Sequence, residues 1–450
     1  MSGNLNPLLQ WSAMTDRAPF IVGAAVERFA PVSEDLARGL YLGGYGTYGS
    51  RRAEGVLDSP CARAVYMAGR NRAFVLVGLD LVGLDTGSVR TLRRRVSAAI
   101  GLPVDAVLVS CSHSHSSPDT QGIWGGAPAS YLRRLLDAAV GAARSAHLRA
   151  GPASLRVAST EVRGLTKNRR GWPDVDSTLV ALQAVDADGG ALATVVNFAC
   201  HPTTLPPENL LVSRDFPGVL VDRLDAELGG ITLFVNGALG DVNPVESGDF
   251  ERTRAFGEAL ARAAADALRN ADPVSAGLEL LVRRPALPVA PARLPRWAQR
   301  ILGPATPPLR TLASLGVLAR GADTLARSGR PDVAQIVGGF AATLPGMLAG
   351  RRGPVLETWV GVLTFGAEVA AVTAPGEALT RLALPVKGSL PARHRLLLGL
   401  TCDSLGYLLD PDEWMAAPSS GYEESVSLGK DAGPAWRRTA CELSAALGSP

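Results

Sequence analysis

A series of short apolar runs along the chain share one form: a β-rich stretch that ends abruptly in polar residues or glycine. Ala73–Leu79 stops at Asp80, and 106–109 stops at Ser110-Cys111-Ser112-His113-Ser114-His115. The run 193–198 is followed by His201, and 231–235 by Asn236-Gly237-Ala238-Leu239-Gly240-Asp241. The run 367–372 leads to Pro375-Gly376-Glu377, and 396–400 to Asp403 and Tyr407. Runs this apolar predict strands covered on both faces. Between them, Thr86–Ile100, 131–150 and 249–270 carry apolar residues on one stripe and predict amphipathic helices. Strands alternating with helices predict an α/β fold, in which ligands collect beyond the carboxyl ends of the strands.

One segment breaks this rhythm. Residues 285–354 hold ten prolines, nine arginines and only two acids, Asp323 and Asp332. Leu309, Leu312, Leu315, Leu318, Ala322 and Leu325 recur there at helical spacing. The segment reads as a helical insertion on the α/β core. It is either a surface helical pair or a lid, or a surface for peripheral membrane or protein contact. Its uncharged stretch 333–350 is too short, and too interrupted by Pro345 and four glycines, for a transmembrane helix.

Composition narrows the classes. At 450 residues, 47% hydrophobic and a net charge of +3, the chain is neither disordered nor short of a core. Of 45 basic residues only Lys167, Lys387 and Lys430 are lysine, a skew that reads as coding bias. The 42 acids offset the arginines, so no nucleic-acid partner is expected. The start, MSGNLNPLLQWSAMTDRAPF, has no secretory pattern, and the five cysteines have no CxxC spacing. Reduced thiols and a cytoplasmic location are the expectation. Gly44-Tyr45-Gly46-Thr47-Tyr48-Gly49 matches GxGxxG, but no strand precedes it and no apolar helix follows. A glycine-rich loop near a functional site is the better reading.

The chain has five histidines, and His113, His115 and His201 all follow predicted strands. In an extended segment residues i and i+2 point the same way, so His113 and His115 can face one pocket. Imidazole suits zinc, and catalytic zinc sites keep about three protein ligands and an open position. Glu377, behind Pro375-Gly376, presents a carboxylate from a rigid turn. Asp241 lies on a glycine-flanked loop, where it either takes part in the chemistry or forms an Asx-turn.

In order, these motifs resemble the neutral/alkaline non-lysosomal ceramidase family. The family's T-H-T-H-S-G-P, H-P-T, G-D-V-S-P and P-G-E motifs correspond to residues 112–118, His201-Pro202-Thr203, Gly240-Asp241-Val242-Asn243-Pro244 and Pro375-Gly376-Glu377. Tyr407 then stands ahead of an acidic stretch read as Asp412-Glu413-Trp414, and shorter echoes occur at Gly43-Gly44-Tyr45-Gly46 and Asn168-Arg169. The resemblance implies a single multi-layer α/β catalytic domain over residues 1–450, with mixed or largely parallel sheets and the helical insertion. It also implies a Zn2+ cofactor held by His113, His201, Glu377 and Tyr407, with His115 as a hydrogen-bonding or proton-transfer residue.

The implied activity is zinc-dependent hydrolysis of an amide, N-acyl bond in a small-molecule substrate, since zinc polarises carbonyls and lowers the pKa of bound water. His115, Asp241 and Asn243 are the expected catalytic group. Asn243 stands where the family has serine; it can donate a hydrogen bond but cannot act as a nucleophile. The substrate therefore need not be ceramide. Two alternatives stand beside the amidase: an esterase, lactonase or acyl-transfer enzyme on the same site, and a non-catalytic binding protein of the same fold. Oligomeric state is left open.

Overall fold

The computed structural model describes residues 18–45, 49–289, 351–352, 354–416 and 421–448. Nearly all of the 285–354 segment, with its 333–350 run, lies outside the described residues, as does the middle of the 44–49 glycine motif.

The described residues stack as helix, sheet, sheet and helix. The larger sheet has nine strands: β1 (Phe20–Arg28), β2 (Cys61–Ala68), β3 (Ala73–Leu79), β4 (Val107–Cys111), β5 (Gly151–Glu161), β6 (Thr178–Val185), β7 (Ala191–Phe198), β8 (Ile231–Asn236) and β9 (Asp272–Val274). Their order is β8-β7-β6-β5-β1-β2-β3-β4, with β9 paired to β5. Only the edge pairs, β3 with β4 and β7 with β8, are parallel; the interior pairs are antiparallel. Each parallel pair is joined by a helix, α1 (Thr86–Ile100) or α3 (Asp215–Leu228). Such crossovers need a dozen or more residues, which is why helical patterns interrupt the strand pattern in those two places.

Side-chain alternation explains the layers. On β1, Phe20, Val22 and Ala24 face inward while Ile21 and Ala25 face outward. The outward face is covered by α1 and α2 (Ala129–Leu148) on one half, and by α3 and α4 (Phe250–Leu268) on the other. The inward face packs on a second sheet, β10 (Leu278–Arg283), β11 (Val360–Phe365), β12 (Val369–Thr373) and β13 (His394–Leu398), in that order. Phe74 of β3 meets Phe365 of β11 edge-on, with ring centroids 5.9 Å apart. The far face of the second sheet buries α5 (Thr380–Gly388) and α6 (Ala432–Gly448), with Trp436 fully enclosed. Two buried faces per strand account for the continuous apolar runs in the sequence.

The large sheet coils until its edges approach each other. A methyl group on Gly78 of β3 would touch Leu233 of β8, and the Asn236 Nδ2 donates to Ser112 O at 3.0 Å. The carboxyl ends of β4 and β7, from opposite parallel pairs, thereby open into one space. All five cysteines are unpaired thiols, and among the described residues no helix is long and apolar enough to cross a membrane.

Candidate metal centre

His113, His115 and His201 meet in that space. Their potential ligand nitrogens all lie within 4.8 Å of one another, and all three side chains are buried. His113 follows β4 with φ +74°, a left-handed conformation that costs a non-glycine residue about 1–3 kcal/mol. It is held there by N–H donation to Leu81 O at 2.8 Å and by its Nδ1, 2.6 Å from Val82 O. His201 follows β7, and its backbone N and Nδ1 lie 2.8 and 3.1 Å from Val242 O.

Glu377 comes from a different element. Its two-residue strand, Glu377–Ala378, pairs in parallel with Tyr407–Leu408, and Glu377 and Tyr407 are register partners. Partners in register share a face, so carboxylate and phenol point the same way. The Pro375-Gly376 turn that delivers Glu377 has no room for a side chain: a Cβ on Gly376 would lie 2.4 Å from Gly406 O. Glu377 Oε2 sits 3.3 Å from His113 Nε2 and 3.2 Å from His201 Nε2.

The hydrogen bonds fix the tautomers. A backbone carbonyl can only accept, so Nδ1 of His113 and of His201 carries the proton. The Nε2 lone pairs then face a carboxylate oxygen. Burial, followed by the Arg169 charge, pushes His201 down to about 4, so its imidazole is neutral near pH 7. Burial alone would raise the Glu377 pKa, but His113 and His201 outweigh it and hold the carboxyl well below the usual carboxylate range. Imidazoles oriented by backbone carbonyls, together with an ionised carboxylate, are the donor types that bind a divalent cation. His113 Nε2 and His201 Nε2, with the Glu377 carboxylate, are the groups that would hold such a cation here.

His115 Nε2 lies 3.2 Å from His113 Nε2, while its Nδ1 has no hydrogen-bond partner. Burial, then His113 and His201, holds its pKa well below that of ordinary histidine. The glycine-rich loop packs directly on it: a Cβ on Gly44 would come 2.2 Å from its ring, and the Tyr45 ring meets it edge-on at 4.7 Å. Tyr407 is buried, and burial followed by the Glu377 charge holds its phenol proton on well above the ordinary tyrosine range. Asp241 is enclosed: its Oδ1 accepts from the Thr380 N and Oγ1 at 2.9 and 2.7 Å, and its Oδ2 from Asn168 Nδ2 at 2.6 Å. Asn243 has a buried Oδ1 without a partner.

Sequence reasoning missed the charged group behind the centre. Arg169 donates from Nε to Glu423 Oε1 at 2.9 Å and from Nη2 to Gly240 O at 2.9 Å. Its Nη1 lies 3.4 Å from His201 Nε2, and its guanidinium stands 5.3 Å from the Tyr407 ring centroid and 5.7 Å from that of Tyr422. Arg170 is fully buried on Glu423 at 2.7 Å and Glu424 at 2.8 Å. The acids that meet these arginines are Glu423 and Glu424; Glu413 gives Arg170 its backbone carbonyl, at 3.0 Å. Paired Arg-Arg and Glu-Glu doublets were the available signal, but Arg170 and Glu423 stand 253 positions apart in the chain.

Two clefts reach the centre from different sides. One, of about 120 Å³, is lined by His113 and Glu377 together with apolar residues that include Val82, Trp124, Leu400 and Leu405. The other, of about 400 Å³, is lined by His115, Asn243, Arg169, Thr203, Ser247 and the tyrosines Tyr45 and Tyr422. A separate histidine, His394, lies outside this space. Its Nδ1 is 3.0 Å from Ser159 Oγ and its Nε2 is 3.1 Å from Asp272 Oδ2.

In overall structure the chain is similar to the neutral ceramidase from Pseudomonas aeruginosa, at 17% identity and a TM-score of 0.73, covering 96% of this chain and 75% of that one. A ceramidase complexed with C2 matches with 16% identity, a TM-score of 0.73 and the same coverage. No family model and no curated protein matches the sequence. The likeness is one of fold, at the level of distant structural similarity.

Proposed function

We propose that this protein is a metal-dependent hydrolase of an amide, N-acyl bond, with zinc held by His113, His201 and Glu377 and with Tyr407 as the fourth ligand. The observation that carries the reading is the convergence of two carbonyl-oriented imidazoles on one carboxylate oxygen, 3.3 and 3.2 Å away. The similarity to ceramidases in fold, together with the cluster of three histidines, supports a hydrolase of this class. A cation bound there supplies Lewis acidity toward a carbonyl and lowers the pKa of water.

The chain's own groups do the rest. Val82 O and Val242 O hold the imidazoles in the ligating tautomer. His115 lies beside His113 with Nδ1 free, and it serves as the group that returns a proton to the leaving amine. The overall balance is one water added across the C–N bond, giving a carboxylic acid and an amine. Asp241 acts as a positioning residue: its oxygens tie Asn168, next to Arg169, to Thr380. Asn243 lies in the polar cleft beside His115 and takes part as a hydrogen-bonding group. Because asparagine is no nucleophile, the reading requires direct hydrolysis without an acyl-enzyme.

Metal analysis after purification with zinc present should find about one zinc per chain in the wild type. His113→Ala should lose both zinc and amide hydrolysis. Wild-type protein that binds no zinc under those conditions, or a His113→Ala protein that keeps zinc and rate, overturns the assignment. Turnover of esters with none of amides would move the activity to the esterase class.

A further inference from the structure

The two clefts differ in chemistry and in size, and the centre stands between them. His113 and Glu377 line the apolar one, whereas His115 lines the polar one. If His115 supplies the proton to the leaving amine, the amine lies on the polar side. The acyl group must then extend the other way, past Glu377 into the apolar cleft.

The wall of that cleft is pre-formed. Asp119 is fully buried, and its carboxylate accepts from the backbone N–H groups of Gln121, Gly122, Trp124 and Gly126 at 2.6–3.0 Å. Four charge-assisted bonds to one side chain fix the loop that carries Ile123 and Trp124. The volume of about 120 Å³ is small. At about 30 Å³ for each water-sized group it takes on the order of four such groups. The polar cleft is lined by Asn243, whose side-chain amide is of a type suited to an N–H or O–H of the amine part.

We propose that the preferred substrates are N-acyl compounds with a short to medium unbranched acyl chain and a small, hydroxylated or otherwise polar amine part. The acyl chain occupies the Trp124 cleft and the amine part the Asn243 cleft. This rests on the amide-hydrolase reading of the centre and names its substrate class.

The test uses zinc-loaded full-length protein and N-acylethanolamines from acetyl to palmitoyl. The expected kcat/KM peaks between butanoyl and octanoyl and is at least tenfold lower for palmitoyl, the scale that ill-fitting methylenes produce. Trp124→Ala should move the peak to longer chains, and Ile123→Trp toward acetyl. Asn243→Leu should raise KM about tenfold more for ethanolamides than for N-butyl amides, because only the former have a hydroxyl to lose. Octanoate should quench wild-type tryptophan fluorescence and fail to do so in Trp124→Phe. A kcat/KM that rises to palmitoyl, a peak that neither variant moves, or a wild-type preference for long apolar amines overturns the proposal. Octanoate bound at Trp124 with no amide cleaved leaves the cleft standing and sinks the hydrolase reading instead. Amide cleavage without chain-length preference does the reverse.

Discussion

His113 and His394 each touch a carboxylate, yet their nitrogens face different things. At His394 both nitrogens are engaged by groups that complete a hydrogen-bond chain: Ser159 Oγ on one side, and on the other Asp272, which Arg393 also holds at 2.8 Å. The three residue types are those of a serine-hydrolase triad, but in reverse order on the ring, with serine at Nδ1 and aspartate at Nε2. Ser159 lies in a regular strand, paired with Val180 across β5 and β6, not on the exposed turn that presents a nucleophile. At the candidate metal centre the order is inverted in another sense. The carbonyls take the outer nitrogens, the inner lone pairs converge, and two clefts open beside them. Residue types alone do not distinguish the clusters; ring nitrogens that converge on one carboxylate next to a cavity do.

The largest effect should come from breaking the convergent cluster. His201→Ala removes one of the two imidazoles on Glu377 and leaves a buried carboxylate short of partners. Zinc content should fall below stoichiometric, and kcat/KM for an amide substrate should drop by a factor of about 1000 or more, or about 4 kcal/mol in the barrier. The matching change at the other cluster, His394→Ala, should leave zinc content and rate within about twofold. If His394→Ala also abolishes activity in a folded protein, the comparison fails.

How far this contrast could be read from sequence differs between its two halves. The strand-then-polar rhythm located β3, β4, β7, β8 and the turn before Glu377, and three of five histidines at strand ends marked the centre. That worked because a buried strand must be apolar along its length, whereas the residues that leave it enter the site. The expectation of mixed or largely parallel sheets holds, but the sequence did not place the parallel pairs of the larger sheet at its edges, because register and edge pairing are long-range properties. Nor did it bring Arg169 to Glu423, or Ser159 to His394, since no local spacing encodes either contact. His394 sits at the start of β13 rather than after a strand, which is why the sequence pattern passed over it.

A second prediction concerns what the imidazoles do for Glu377, with Asp403 as the control. Asp403 is fully buried but has no imidazole company; it accepts from Thr86 at 2.8 Å and Thr358 at 3.1 Å. Burial pushes its carboxyl up from 3.8 to about 6, the opposite direction to Glu377. A raised folded-state pKa means stability that is present below pH 3.8 and is lost as pH rises through about 6. The loss amounts to about 3 kcal/mol. Asp403→Asn should therefore remove part of the decline in unfolding free energy between pH 4 and 7, measured by denaturant titration. A slope unchanged in the variant would show that Asp403 is ionised in the folded protein throughout that range.

Next in size is the hydrogen-bond chain itself. Asp272→Ala leaves His394 Nε2 without its acceptor and frees Arg393, at a half-exposed position. Leaving the buried His394 Nε2 unpaired should cost about 1–3 kcal/mol of stability, with zinc content and rate unchanged. A loss of rate at constant stability would give this cluster a role in catalysis.

The smallest effect separates a nucleophile from a bystander. Ser159→Ala deletes one hydroxyl from an exposed strand position, so stability should change by no more than about 1 kcal/mol. A fluorophosphonate, which phosphonylates the activated serines of triads with loss of fluoride, should leave Ser159 unmodified. The reason is geometric: a serine becomes nucleophilic when a base takes its proton and nearby N–H groups stabilise the oxyanion that follows. Ser159 has the first group but sits in a strand whose neighbours are paired across the sheet, and it lines neither cleft. Stoichiometric labelling of Ser159 would show that the base suffices in this setting, and it would make the His394 cluster a second reactive site.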